Sequence, residues 1–224
     1  MVRPIPKTLT PEQAEKYYDN FGAKQDSQGF YEDKPIGIMV QEGDFEKAEK
    51  IFEFGCGTGK KASELFTNKL SNSCTYTGQD ISDTMVELAH KNLEEWKERV
   101  TVRKTDGSTT LPEGDNSFDR FYSTYVLDLL PVEKTKEILQ EAKRVLRPEG
   151  KLCLVGITTG KNLRSKIVSK GWGFIFRLRP SLVGGCRPIN LTKYINDSDW
   201  TILFHKKVTA KLIASEILIA TPKK

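Results

Sequence analysis

Cysteine and histidine are scarce in this chain. Its four cysteines, at 56, 74, 153 and 186, stand far apart, form no Cys-x-x-Cys pair and have no nearby histidine, so the sequence offers no metal site. Cys153 falls in an apolar run and reads as core, and such thiols fit a reducing compartment. Long hydrophobic runs are missing too. No stretch approaches the roughly 20 apolar residues of a membrane span, and Met1–Lys7 lack the apolar segment of a signal peptide, which predicts a soluble, cytoplasmic protein. Nor does one sign of charge dominate: 35 basic residues against 30 acidic leave +5, scattered through the chain, so nucleic acid is not indicated. What the chain does have is bulk. At 224 residues and 38% hydrophobic, it suffices for one sizeable core and is short for two, which predicts one domain.

The most informative stretch is Ile51-Phe52-Glu53-Phe54-Gly55-Cys56-Gly57-Thr58-Gly59, where an apolar strand-like run enters three alternate glycines and Lys60–Phe66 then reads as a helix. Strand, tight turn and helix start together expose main chain to a ligand, and amides at a helix start can hold an anionic group. Two nucleotide-binding patterns fit poorly. A P-loop would need glycine where Phe54 stands and a hydroxyl where Lys61 stands, and a dinucleotide fingerprint would need its third glycine at Lys60. Downstream, Asp80 ends the next strand-like run, Thr75–Gln79. An acid there either accepts from a ribose diol or caps a helix starting near Ser82.

Glu53 to Gly59 resembles the first motif of class I S-adenosylmethionine-dependent methyltransferases. The resemblance implies S-adenosylmethionine as cofactor, S-adenosylhomocysteine as product, and an α/β, Rossmann-like doubly wound sheet of seven strands, mostly parallel with a C-terminal antiparallel pair. It implies that Gly55, Cys56, Gly57 and Gly59 hold the methionine end, and Asp80, with Ile81 and Met85 beside it, the ribose side. Asp106-Gly107-Ser108 resembles the family's adenine-side motif, although Asp-Gly is also a plain turn former. Ser117–Thr124 and the Tyr125–Pro131 stretch resemble the fourth motif, which places Thr124 near the sulfonium and makes Asp128 a candidate base or acceptor-orienting group. Capping before Pro131 is the other reading of Asp128.

Alternation supports the same architecture. Strand-like runs at 51–54, 75–79, 100–104, 117–123 and 151–157 are separated by helical stretches near 60–70, 82–98 and 131–147, the pattern of a parallel sheet covered on both faces. A Leu-Arg-Pro-x-Gly turn at 146–150 is similar to the turn before strand five in small-molecule methyltransferases, with Glu149 in place of a glycine. Trp200–Val208 and Lys211–Ala220 read as the two closing strands.

The ends are read by architecture. Residues 1–48 form a helical cap, 49–158 the cofactor-binding core, 159–199 an acceptor-side insertion and 200–224 the closing hairpin. Thr10-Pro11-Glu12 is a helix start followed by Ala14, Tyr17, Tyr18 and Phe21 at helical spacing. The resemblance implies that this segment folds over the methionine end, with Tyr18, Gln25 and Tyr31 lining the pocket and Tyr31 a second catalytic candidate; a surface helix and turn is the alternative. Residues 161–179 are basic and apolar, either a cap on the sheet or an amphipathic helix on an anionic membrane surface. Cys186 has no neighbouring histidine to activate it. The expected function is methyl transfer to a small acceptor (a thiol, phenol or quinone, amine or lipid-like molecule) by a monomer or homodimer. Ser123-Thr124-Tyr125-Val126 does not match the Asn/Asp-Pro-Pro-Tyr/Phe of DNA and amide methylases. A non-catalytic adenosyl-binding protein and an NAD-dependent oxidoreductase are the alternatives.

Overall fold

The structure, a computed structural model, describes residues 8–223; Met1–Lys7, on which the signal-peptide expectation falls, and Lys224 lie outside the described residues. The chain opens with α1 (Pro11–Phe21), started by a reciprocal cap in which the Thr10 hydroxyl accepts from the Gln13 amide and the Gln13 side chain accepts from the Thr10 amide. A short 3-10 stretch, Gly22–Gln28, leads into α2 (Gly29–Glu42). From there the chain alternates: β1 (Lys50–Phe54), α3 (Lys60–Asn68), β2 (Thr75–Asp80), α4 (Asp83–Asn92), β3 (Val100–Lys104), β4 (Phe118–Thr124), α5 (Val132–Val145) and β5 (Leu146–Ile157). It ends with α6 (Leu163–Leu178), β6 (Trp200–Ala210) and β7 (Ile213–Pro222).

Seven strands form one sheet in the order β3-β2-β1-β4-β5-β7-β6. The first five are parallel, and β7 pairs antiparallel with both β5 and β6, as the sequence leads one to expect. Strand residues alternate between two apolar layers. Ile51, Tyr122, Cys153 and Ile217 face one layer with Met39 of α2, while Phe52, Phe121, Leu152 and Leu218 face the other with Ile138 and Leu139 of α5. Burying such side chains on both faces, at roughly 1.5–3 kcal/mol each, is what holds the central strands. Because β1 neighbours β2 on one side and β4 on the other, the strand order reverses between β1 and β4, and a crevice opens beyond Phe54 and Thr124.

Two local differences from the sequence reading have clear causes. The turn at 146–150 lies inside β5: Leu146 pairs with Phe118 and Lys151 with Arg120, so the residues between them are squeezed out of the ladder as a bulge. The helix expected over 82–98 breaks after Asn92, and a 3-10 stretch follows in which Trp96 lies stacked against Phe66 at 5.3 Å. Asp119 at the base of β4 is structural, its carboxylate accepting from the Glu49 and Lys50 amides at 2.9 and 2.8 Å and fixing the start of β1.

Candidate functional site

A cavity of about 450 Å³ occupies the crevice at the carboxyl ends of β1, β2 and β4. Its floor is the turn after β1. Gly55, Gly57 and Gly59 all have positive φ, at 79°, 51° and 73°. A Cβ on Gly55 would stand 2.3 Å from Cγ2 of Val126, whereas one on Gly57 would meet nothing within 4 Å, because the cavity lies there. Gly59 serves α4 instead: its α-carbon faces Ala89, where a Cβ would come within 2.9 Å of the backbone. Lys60 and Lys61 then open α3 at the cavity wall, on the positive end of the helix.

Asp80 stands at the tip of β2 beside this turn. One carboxylate oxygen accepts from the Gly57 amide at 2.9 Å and the other from the Ser82 amide at 3.1 Å, while burial raises its pKa against the pull of those two amides. It is not the cap of α4; Ser82 is, through its hydroxyl to the Met85 amide at 3.1 Å. Cys56, Ile81, Met85, Gly107 and Thr124 also reach the cavity. Asp106 and Ser108 do not. Asp106 is exposed, and its carboxylate turns back to the Ser108 amide at 2.8 Å, the local turn that an Asp-Gly sequence favours.

The N-terminal segment roofs the cavity. Tyr18 and Gln25 line it, and side-chain bonds fasten the roof to the walls. Asp19 accepts from the Ser82 hydroxyl at 2.6 Å and the Thr84 amide at 3.2 Å, and the Ser82 bond is the main cause of its lowered pKa. The Thr58 hydroxyl donates to Asp26 at 2.7 Å, and the Tyr18 hydroxyl to the Gly184 carbonyl at 3.3 Å. Tyr31 is buried behind the wall rather than on it. Its hydroxyl donates to Gln28 at 3.0 Å and its ring meets Tyr125 edge-on at 5.6 Å.

Two carboxyl groups at the inner end are unsatisfied. Glu32 of α2 lines the cavity with one oxygen buried and unpaired among the described residues, and burial pushes its pKa up to about 7. Asp128, beyond β4, is wholly buried and stands behind the wall; neither of its oxygens has a donor in bonding geometry among the described residues, and burial again pushes the pKa up to about 7. It caps nothing: α5 starts at Pro131 without a side-chain cap. Arg187, although close by, donates to the carbonyls of Asp128 and Leu130. Cys186 is held far above the usual thiol range, by burial first and then by the nearby Asp128 and Glu32.

Tyr125 joins these parts. It holds a left-handed backbone (φ 58°) at the cavity wall, its amide donating to Val155 and its hydroxyl paired with Ser215 of β7 at 2.9 Å. Sequence reasoning missed Glu32, because an acid in a polar run reads as a solvated face, and it missed Glu53 as a wall residue. Glu53 accepts from the Tyr76 and Tyr122 hydroxyls at 2.5 Å each, and its pKa is pushed up to about 7 by burial. No group of three or more His, Cys, Asp or Glu suited to a metal ion occurs among the described residues.

Comparison with known proteins bears on the family and the fold. Residues 51–150 match a family described as a methyltransferase domain. A demethylmenaquinone methyltransferase from Lactobacillus johnsonii is 29% identical over 181 residues, 80% of this chain and 65% of its own length. An uncharacterized protein of Haemophilus influenzae is 30% identical over 161 residues, 64% of this chain and 62% of its own. The chain thus spans less than two thirds of the length of these curated relatives. Among solved structures, the cyclase SpnF superposes with a TM-score of 0.73 at 16% identity, covering 98% of both chains. The geranyl diphosphate C-methyltransferase of Streptomyces coelicolor, in complex with Mg2+, geranyl diphosphate and S-adenosyl-L-homocysteine, does so at 0.68 with 11% identity, covering 98% of this chain and 100% of that one. At such identities the likeness is one of fold, and that fold carries a cyclase as well as a methyltransferase.

Proposed function

We propose that the protein, whose residues 51–150 match a methyltransferase domain, is a class I S-adenosylmethionine-dependent methyltransferase that moves a methyl group from that cofactor to a small, largely apolar acceptor. The observation that carries the reading is the joining of the glycine turn, Asp80 and the unpaired Glu32 in one roofed cavity. The walls suit the cofactor. The space over Gly57 has no side chain to fill it, Asp80 offers a carboxylate to a sugar diol, and the start of α3 offers positive potential to a carboxylate. Gly55, Cys56 and Gly57 would hold the methionine portion under Tyr18 and Gln25, and Asp80 the ribose. Gly107, Ile81 and Met85 would bound the adenine, in place of the outward-turned Asp106 and Ser108.

When bound, S-adenosylmethionine supplies an electrophilic methyl group, so that the acceptor atom gains a bond to carbon as the sulfur–carbon bond breaks. The chain's share is positioning and exclusion of water, which suffices for a good electrophile. Val126, Leu129 and Leu130 give the acceptor end an apolar wall. Glu32, titrating near neutrality, is the group placed to orient the acceptor or take its proton, a role expected of Asp128 or Tyr31 from sequence; those two stand behind the wall and support it. Incubation with labelled methyl donor and a panel of thiols, phenols, quinones and amines tests this. Transfer of label to at least one class is expected. Tight binding of S-adenosylhomocysteine with no transfer to any class would leave a binding protein.

A further inference from the structure

Helix α6 divides its side chains between an inward and an outward face. Ser165, Ser169, Trp172 and Phe176 face inward, Phe176 fully buried and the Trp172 ring nitrogen donating to the Cys186 carbonyl at 2.9 Å. Leu163, Ile167, Phe174 and Leu178 face outward with relative exposures of 74, 62, 62 and 70%. At 3.6 residues per turn these four fall within about 60° of arc, opposite the inward set. Leu182, just beyond the helix, is also 66% exposed. An apolar stripe of this kind is costly to leave in water, and it marks a surface of contact.

Charge decides what it contacts. Between Glu149 and Asp197 there is no acidic residue, while residues 161–193 carry eight basic ones. Lys161, Arg164, Lys166, Lys170, Arg177 and Arg179 are exposed, and none forms an ion pair among the described residues. Elsewhere lysines and arginines such as Lys61, Lys104, Lys143 and Arg144 are paired with acids. On a helical wheel Lys166, Lys170 and Arg177 lie within or beside the apolar stripe. A second copy would bring the same positive field against itself, and nucleic acid would leave the stripe wet. An anionic bilayer satisfies both features, with the stripe in the acyl boundary and the cations among the headgroups.

We infer that α6 seats this protein on anionic membrane surfaces. The inference does not depend on the catalytic reading. It does bear on the acceptor, since the chain leaving α6 turns into the cavity wall at Gly184, so a seated helix sets the cavity beside the lipid boundary. Co-sedimentation of the full chain with phosphatidylcholine vesicles, with and without phosphatidylglycerol, is the test. Binding is expected only with the anionic lipid and is expected to be released by raising salt from about 0.05 to about 0.5 M. Reversing Lys166, Lys170 and Arg177 to Glu is expected to weaken it on the order of a hundredfold. Phe174→Asp with Ile167→Asp is expected to abolish it while leaving the melting temperature and S-adenosylhomocysteine affinity unchanged, since all five side chains are exposed. Equal binding to both vesicles, no binding at low salt, or a dimer in light scattering that Phe174→Asp dissolves would each overturn the inference. Those results would leave the cofactor-affinity measurement, and the reading it tests, untouched.

Discussion

The two ends of the cavity are built on opposite principles. At the glycine turn the main-chain amides and the acids beside them are paired, with only the Gln79 side-chain nitrogen left over among the described residues: the Gly55 and Cys56 amides donate to the Gln79 carbonyl, the Gly57 amide to Asp80, and the Thr58 hydroxyl to Asp26. At the inner end one Glu32 oxygen and both Asp128 oxygens are buried with no hydrogen-bond partner among the described residues. A paired wall is a rigid receptor whose shape is set before a ligand arrives. An unpaired one holds unfavourable free energy that a donor-bearing guest, or a proton, relieves.

Four substitutions would break or sharpen that contrast. The largest effect is expected from Asp128→Asn. The folded pKa of about 7 lies above the ordinary 3.8, so the folded state holds this proton more tightly than the unfolded chain does. Its stabilisation is complete below pH ~4 and is lost as pH rises through about 7, by something on the order of 4 kcal/mol. The Asn variant should show a flatter dependence of melting temperature on pH and melt higher than wild type at pH 8. If both melt alike at pH 8, Asp128 is satisfied in solution and the contrast fails.

Next comes Gly55→Ala at the paired end, where positive φ and the 2.3 Å approach to Val126 act together. A loss of about 2 kcal/mol in chemical denaturation is expected. Asp80→Ala should weaken S-adenosylhomocysteine binding about tenfold by calorimetry, the value of one charge-assisted bond. An unchanged affinity would show that Asp80 serves the turn alone. Smallest is Asp19→Ala, which frees the roof from Ser82 and Thr84. Dissociation of S-adenosylhomocysteine in stopped flow should quicken about fivefold, the equivalent of one ordinary hydrogen bond.

The paired end was legible in the sequence because its constraints are local. Strand, glycines and acid follow one another within one βαβ unit, strand spacing predicted a parallel sheet covered on both faces, and the family resemblance added the closing antiparallel pair that the structure has. The inner end depends on contacts across the chain. Helix α2 was hidden because Gly29, Pro35 and Gly37 punctuate it, yet it packs Tyr31, Ile36, Met39 and Val40 into the core. Glu32 looked like surface, and only the docking of α2 against the sheet turns it to the cavity. Asp106 differs for a local reason: its own turn draws one carboxylate oxygen back to the Ser108 amide and leaves the side chain exposed, outside the cavity lining.

Tyr125 carries a consequence for the last two strands. Its ring leans on α2, its hydroxyl on Ser215 of β7, and its backbone is held in a conformation that an aromatic residue seldom adopts unaided. The C-terminal hairpin therefore acts as a brace for the reaction chamber as well as a margin for the sheet, and trimming it would reshape a wall to which it contributes no lining atom.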